Sequence, residues 1–355
     1  MSCALFLRGG GALQEEAFFK IYQGKEWAKT LSLEMEQANS LDFEPFRGWR
    51  TKEFHGKYIN VDSWGVRKTW NPRNFQGRQP KTIYLFGGST AWGFGARDDY
   101  TIPSLLSKLL AKKGHSFVVH NYAEVAHTFG QNLLRLALLL REGYQPDYVI
   151  FYVGLNDVAT AYEFGVAGAV NDFFRIEEIL EHHSLSHWQN IWIGVKGLIA
   201  DRSRIYQAVS RIRNRSLKPG FERWKAEGYT EEQLKKLSGD IRKEYEKSIQ
   251  FLDHLAKAYS FKYLVFWQPV IYTKKVIHEY EKMEYIPENE RTLARLYLLT
   301  TDGLGGDGFS QFFNITHILD DKRESYYLDS GHLSEEGNAV AAEKVVDVFE
   351  KEFLK

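Results

Sequence analysis

Six consecutive residues, Tyr148-Val149-Ile150-Phe151-Tyr152-Val153, contain no charge and no turn-forming residue. A strand with one face in water alternates apolar and polar side chains. A run without that alternation is buried on both faces, as in the centre of a parallel sheet covered by helices on two sides. This run restricts the chain to a layered α/β architecture, and its neighbours agree. Residues 82–86 and 117–121 read as strands before it, and residues 262–267 and 314–319 as strands after it. Helical patterns separate them. One follows Thr101-Ile102-Pro103 on Leu105, Leu106, Leu109 and Leu110 up to Gly114. A second covers residues 132–141 on Leu133, Leu136, Ala137 and Leu140, and a last one covers 335–353 on Ala339, Ala342, Val345, Val346 and Phe349. Strands joined by helices imply right-handed crossovers. The expected fold is a three-layer α/β/α sandwich around a parallel five-stranded, flavodoxin-like sheet, occupying residues 81–355.

Two regions stand outside this rhythm. Residues 1–80 read as a lead-in packed on the core, with one or two surface helices over 14–40 and a hairpin around His55-Gly56. The arginines of the lead-in read as surface ion pairs. Between the third and fourth strands lie far more residues than one crossover needs. Residues 231–259 read as the crossover helix itself, and about 160–228 as a helical insertion over the carboxyl edge of the sheet, where a lid or substrate wall would stand.

Lys plus Arg equals Asp plus Glu at 46 each, which gives no electrostatic footprint for nucleic acid or an anionic membrane surface. Cys3 is the single cysteine, so an internal disulfide and a cysteine zinc site are excluded. Residues 1–13 are broken by Arg8 and three glycines and read as neither a signal peptide nor a membrane span. The chain as it stands reads as soluble, and as extracytoplasmic if a leader or anchor has been removed. His182, His183 and His187 are spaced for metal ligation on a helix, but no glutamate completes a His-Glu-x-x-His pattern. No metal or other cofactor is expected. The basic run over 202–218 reads as a solvated face.

The chemistry lies at the strand ends. The first strand stops at Gly87-Gly88 and delivers Ser89 to the carboxyl edge of the sheet, where open α/β sheets bind ligands. Taken alone, this serine reads first as a helix cap and only second as a nucleophile. A nucleophilic serine needs a base, a group that orients the base, and donors for an oxyanion. Asp329 and His332 stand three apart before the last helix, so one turn can project the imidazole to Ser89 and a carboxylate to its other nitrogen. Asn156, in Gly154-Leu155-Asn156-Asp157 after the central strand, can offer its amide to the oxyanion, and Ala126 its backbone N–H. Gly88, Trp92, His127 and Asp157 flank these motifs and are expected to line the substrate site.

Gly87-Gly88-Ser89-Thr90, Gly154-Leu155-Asn156-Asp157 and Asp329-Ser330-Gly331-His332, in this order, resemble the SGNH/GDSL hydrolase family. The resemblance covers about residue 81 to the C-terminus without the insertion. It implies Ser89 as nucleophile, His332 as general base, Asp329 as its orienting carboxylate, and an oxyanion hole of Ser89 N–H, Ala126 N–H and Asn156. Two positions depart from the family: Gly88 stands where its name has Asp, and Ala126 where its second block has glycine. The implied activity is hydrolysis of a carboxylic ester through an acyl-enzyme, with a small-molecule or carbohydrate O-acetyl ester as substrate. Transfer of the acyl group to a polysaccharide by the same triad, and a binding module with a degenerate site, are the alternatives.

Overall fold

The computed structural model describes residues 18–75, 77–171, 228–281, 288–304 and 311–354. His182, His183, His187, the basic run over 202–218, Cys3 and nearly all of the 160–228 insertion lie outside the described residues.

The lead-in carries β1 (Leu41–Glu44), β2 (Gly48–Thr51), β3 (Phe54–His55) and β4 (Asn60–Val61), and the core sheet has strands β5 (Lys81–Gly87), β6 (Phe117–Asn121), β7 (Tyr148–Val153), β8 (Lys262–Trp267) and β9 (Phe312–Asn314). Its order is β6-β5-β7-β8-β9 and every pairing within it is parallel. All six residues of β7 are buried, as their composition requires. Side chains alternate between two cores. Tyr148, Ile150 and Tyr152 join Ile83, Leu85, Leu264 and Phe266 on one face, while Val149, Phe151 and Val153 join Tyr84, Phe86, Val265 and Trp267 on the other. The first core is closed by α1 (Ala28–Ala38), α3 (Ile102–Lys112) and α8 (Glu335–Phe353), with the short α2 (Ser89–Trp92) between α1 and α3. The second core is closed by α4 (Phe129–Arg141), α5 (Leu155–Phe164), α6 (Glu231–Tyr259) and α7 (Glu288–Thr301). The architecture is the expected α/β/α sandwich. No helix among the described residues is long and apolar enough to cross a membrane.

Local chemistry explains the element ends. Thr101 caps α3 by accepting from Ser104 N–H, with Pro103 in the first turn. Thr230 and Gln233 form a capping box at the start of α6, which runs over the residues read as the crossover helix. Helix α4 begins at Phe129, three residues before the expected 132, because the Gln131 side chain accepts from Thr128 N–H at 3.1 Å and starts the helix there. The last strand also differs from expectation, ending at Asn314 instead of beginning there. The Asn314 side chain accepts from Thr316 N–H at 3.0 Å, and this local turn diverts the chain before Ile315.

The lead-in is more deeply engaged than a surface layer. Phe18, Tyr22 and Leu31 are part of the first core. The hairpin expected around His55 is present as β3 (Phe54–His55) and β4 (Asn60–Val61), and Arg67 bridges it to Asn121 at the edge of β6. A second hairpin, unexpected from the sequence, pairs β1 (Leu41–Glu44) with β2 (Gly48–Thr51). The surface-ion-pair expectation is wrong for Arg67, which is fully buried. Its guanidinium pairs with Asp98 at 3.1 Å, donates to the carbonyls of Gly93 and Ala96 at 2.6 Å each, and covers the Trp92 ring at 4.3 Å. Such a charge tolerates burial because its donors are matched by acceptors.

Candidate active site

Strand β5 sends its next strand, β6, to one side and β7 to the other. Its carboxyl end is therefore a topological switch point, with a crevice between the loops that leave the two neighbours. Ser89 opens there as the first residue of α2. The cap of that helix is Gly88, and no side chain caps it, so the cap reading of Ser89 does not hold. Instead Ser89 Oγ lies 2.7 Å from His332 Nε2. His332 Nδ1 lies 2.5 Å from Asp329 Oδ2, and Asp329 Oδ1 accepts from the backbone N–H groups of Gly331 and His332 at 2.9 and 2.8 Å. Burial pushes the Asp329 carboxyl up, but His332 and the two backbone donors outweigh it and hold the group below its ordinary value. The arrangement keeps an anion behind an imidazole whose other nitrogen faces a hydroxyl. This geometry can take a proton from Ser89 and stabilise the imidazolium that results.

Three contacts that no motif announced fix the two loops together. Thr90 Oγ1 donates to the Gly331 carbonyl at 3.1 Å, the Phe94 ring lies 4.5 Å from the imidazole of His332, and Tyr22 joins the loops from outside. Its hydroxyl donates to the Gly95 carbonyl at 2.8 Å and accepts from Glu335 N–H at 2.9 Å.

The oxyanion side is built from the ends of β6 and β7. Gly154, at φ 131°, turns the chain sharply enough for Asn156 to enter the first turn of α5 beside Gly88. Asn156 Nδ2 donates to the His127 carbonyl at 3.0 Å, which leaves its second N–H for another acceptor. A Cβ on Gly88 would collide with that same Nδ2. A side chain in place of Gly88 would therefore require the Asn156 amide to shift. On the β6 side, Glu124 to His127 form a turn closed by His127 N–H to the Glu124 carbonyl at 3.3 Å, with Ala126 third at φ 62°. That position favours glycine. A left-handed alanine costs roughly 1–2 kcal/mol, partly offset by glycine's greater unfolded-state entropy. Ala126→Gly is accordingly expected to raise stability by about 0.5–1 kcal/mol in urea unfolding. A lower urea midpoint would show that the position stores no strain.

Three of the expected lining residues face elsewhere. Trp92 is 2% exposed beneath Arg67, so it packs in the core. His127 is 1% exposed behind the oxyanion turn, where its Nε2 donates to the Trp49 carbonyl at 3.2 Å. Burial, then the charges of Arg135 and Arg47, push its pKa well down and keep the ring neutral. Asp157 turns its carboxylate into the N-terminus of α4, accepting from Phe129 N–H at 2.9 Å. Gly88 remains at the site as space for Asn156.

Burial pushes the Asp157 carboxyl up to about 6, with the Tyr245 hydroxyl beside it. The folded chain therefore holds this proton more tightly than the unfolded chain. The associated stability is full below the ordinary carboxylate value near 4 and is lost as pH rises through about 6, a difference of about 3 kcal/mol. Asp157→Asn is expected to remove this slope. The variant should match wild type at pH 4 and exceed it at pH 7.5 in urea unfolding, and equal midpoints at both values would refute the assignment.

A family model described as GDSL-like lipase/acylhydrolase matches residues 83–345. No curated protein matches the chain in sequence. Among solved structures, an acetyl xylan esterase, AlAXEase, is 14% identical with a TM-score of 0.40, over 75% of this chain and 98% of that one. The psychrotrophic esterase EstA from Pseudoalteromonas sp. is 12% identical with a TM-score of 0.35, over 78% and 100% of the two chains. Axe2, an acetylxylan esterase from Geobacillus stearothermophilus, is 12% identical with a TM-score of 0.38, over 77% and 93%.

Proposed function

The chain belongs to the GDSL-like lipase/acylhydrolase family, and on that premise we propose that it cleaves a carboxylic ester through an acyl-enzyme on Ser89. The observation that carries this reading is the continuous chain Ser89 Oγ, His332 Nε2, His332 Nδ1, Asp329 Oδ2, with contacts of 2.7 and 2.5 Å. Ser89 attacks the ester carbonyl while His332 takes its proton. The tetrahedral oxyanion is met by the N–H groups of Ser89 and Ala126 and by the free N–H of Asn156. His332 then returns the proton to the leaving alcohol, and water repeats the cycle on the acyl group. A non-catalytic module would have no use for an anion buried behind an imidazole, because that arrangement costs desolvation and stabilises only a developing positive charge.

The substrate we infer is an O-acetyl ester on a carbohydrate. The support is local: Phe43 and Phe46 are 81% and 76% exposed on the β1–β2 hairpin, which contacts the oxyanion turn through Trp49, and exposed aromatic rings suit the apolar faces of sugars. The test is a panel of p-nitrophenyl esters of graded acyl length run beside acetylated oligosaccharides. Release of free acetate from the oligosaccharides supports the reading. A strong preference for long acyl chains overturns it, and acetyl transfer to an added sugar would change the acceptor from water to carbohydrate.

A further inference from the structure

We propose that the β1–β2 hairpin aims the oxyanion-binding N–H of Ala126, with Trp49 as the positioning residue; this rests on the reading of Ser89 as nucleophile and Ala126 as donor. A trans peptide is planar, so the Val125 carbonyl and the Ala126 N–H form one rigid unit and point in opposite directions. Trp49 Nε1 donates to the Val125 carbonyl oxygen at 2.8 Å. Holding that oxygen fixes the direction of the N–H on the other side of the unit. Donation to the carbonyl also polarises the peptide, which makes its N–H a stronger donor. The Ala126 N–H itself has no hydrogen-bond partner among the described residues.

The flanking groups are held as firmly. Asn171 Nδ2 donates to the Ala126 carbonyl at 2.7 Å, and the Glu124 carboxylate accepts from Val125 N–H at 2.9 Å. That carboxylate is fixed in turn by the hairpin, through Thr51 N–H at 2.9 Å and Thr51 Oγ1 at 2.5 Å. His127 donates back to the Trp49 carbonyl, with the two rings edge to face at 5.3 Å. A non-glycine residue at positive φ persists only where its surroundings over-determine it. Here Trp49 and Thr51 supply that constraint, and both precede the family-matched segment at 83–345. The hairpin is this chain's means of keeping an alanine where the turn favours glycine.

Trp49→Phe keeps an aromatic ring against His127 and removes the donor. Rates on p-nitrophenyl acetate are measured with the full chain and normalised to active sites titrated with a fluorophosphonate, so loss of folded protein does not register. An oxyanion donor acts in the transition state, so kcat is expected to fall about tenfold with KM within about twofold of wild type. A boronic acid, whose tetrahedral adduct places an oxygen in the same hole, should lose affinity in parallel. Thr51→Val removes only a hydroxyl and is expected to lower kcat about threefold, and it decides the matter if Trp49→Phe fails to fold. Wild-type kcat per titrated site, or a loss carried wholly by KM, overturns the hairpin's role while leaving the nucleophile reading intact. Turnover that survives Ser89→Ala overturns both.

Discussion

Ser89→Ala is expected to reduce hydrolysis of p-nitrophenyl acetate by about 10⁴-fold or more while leaving the fold in place. The two halves of this expectation have separate physical grounds. The loss follows from chemistry: the Ser89 hydroxyl is the group that His332 Nε2 faces, at 2.7 Å, and the substitution removes it. Water entering the space would be a poor substitute, since it brings no covalent intermediate and is not oriented by a backbone. The survival of the fold follows from the helix end. Gly88 holds the cap position of α2 and no side chain caps that helix, so removing the hydroxyl breaks no capping bond. The thermal midpoint should therefore move by only a few degrees, while labelling by a fluorophosphonate disappears. Wild-type turnover in the variant would remove Ser89 from the mechanism. A collapse of the midpoint together with activity would instead return it to a structural role.

The parts of the site that were legible in the sequence are those written locally. The all-apolar run of β7 declared a sheet buried on both faces, and turn-forming residues after three strands, with Asp329 and His332 three apart, marked where side chains leave the framework. What stayed illegible falls into two kinds. Direction is one. Asn156 and Asp157 are successive residues on one helical turn, so their side chains diverge by about 100°. Asn156, expected at the oxyanion, lies beside Gly88, while Asp157, expected to line the substrate, turns into the N-terminus of α4. Contact between distant segments is the other. Tyr22 meets Gly95 and Glu335, Trp49 meets Val125, and Arg67 meets Asp98 and Gly93, each without any periodic or spacing signal. The lead-in looked like a peripheral layer because its effect on the catalytic loops exists only in three dimensions. Ala126 falls between the two kinds. The departure from glycine was visible, and its left-handed backbone is the feature that gives the departure physical content.

Asp329→Asn is expected to lower kcat by about 10³–10⁴-fold with little change in KM. Both carboxylate oxygens are engaged, one by His332 Nδ1 and the other by the backbone N–H groups of Gly331 and His332. An asparagine that keeps its oxygen on the backbone donors must present its NH2 to Nδ1. The imidazole then accepts at Nδ1 and carries its proton on Nε2, facing the Ser89 hydroxyl from which it should take one. The structure stays closed and the base is in the wrong tautomer. Among the described residues no neighbouring carboxylate relieves this: Gly88 has no side chain, and Asp157 is turned into α4. Two further measurements separate tautomer from simple damage. In the Ser89→Ala background the asparagine should cause almost no additional loss, because the three residues act as one unit. In acid unfolding the sign is set by the depressed native pKa of Asp329. Its contribution to stability is present above the unfolded carboxylate value near 4 and is lost as pH falls through the lower native value. The stability gap between wild type and Asp329→Asn should therefore be widest near neutral pH and narrow below pH 4. A gap independent of pH, with kcat near wild type, would mean that the anion behind His332 is not what makes it a base.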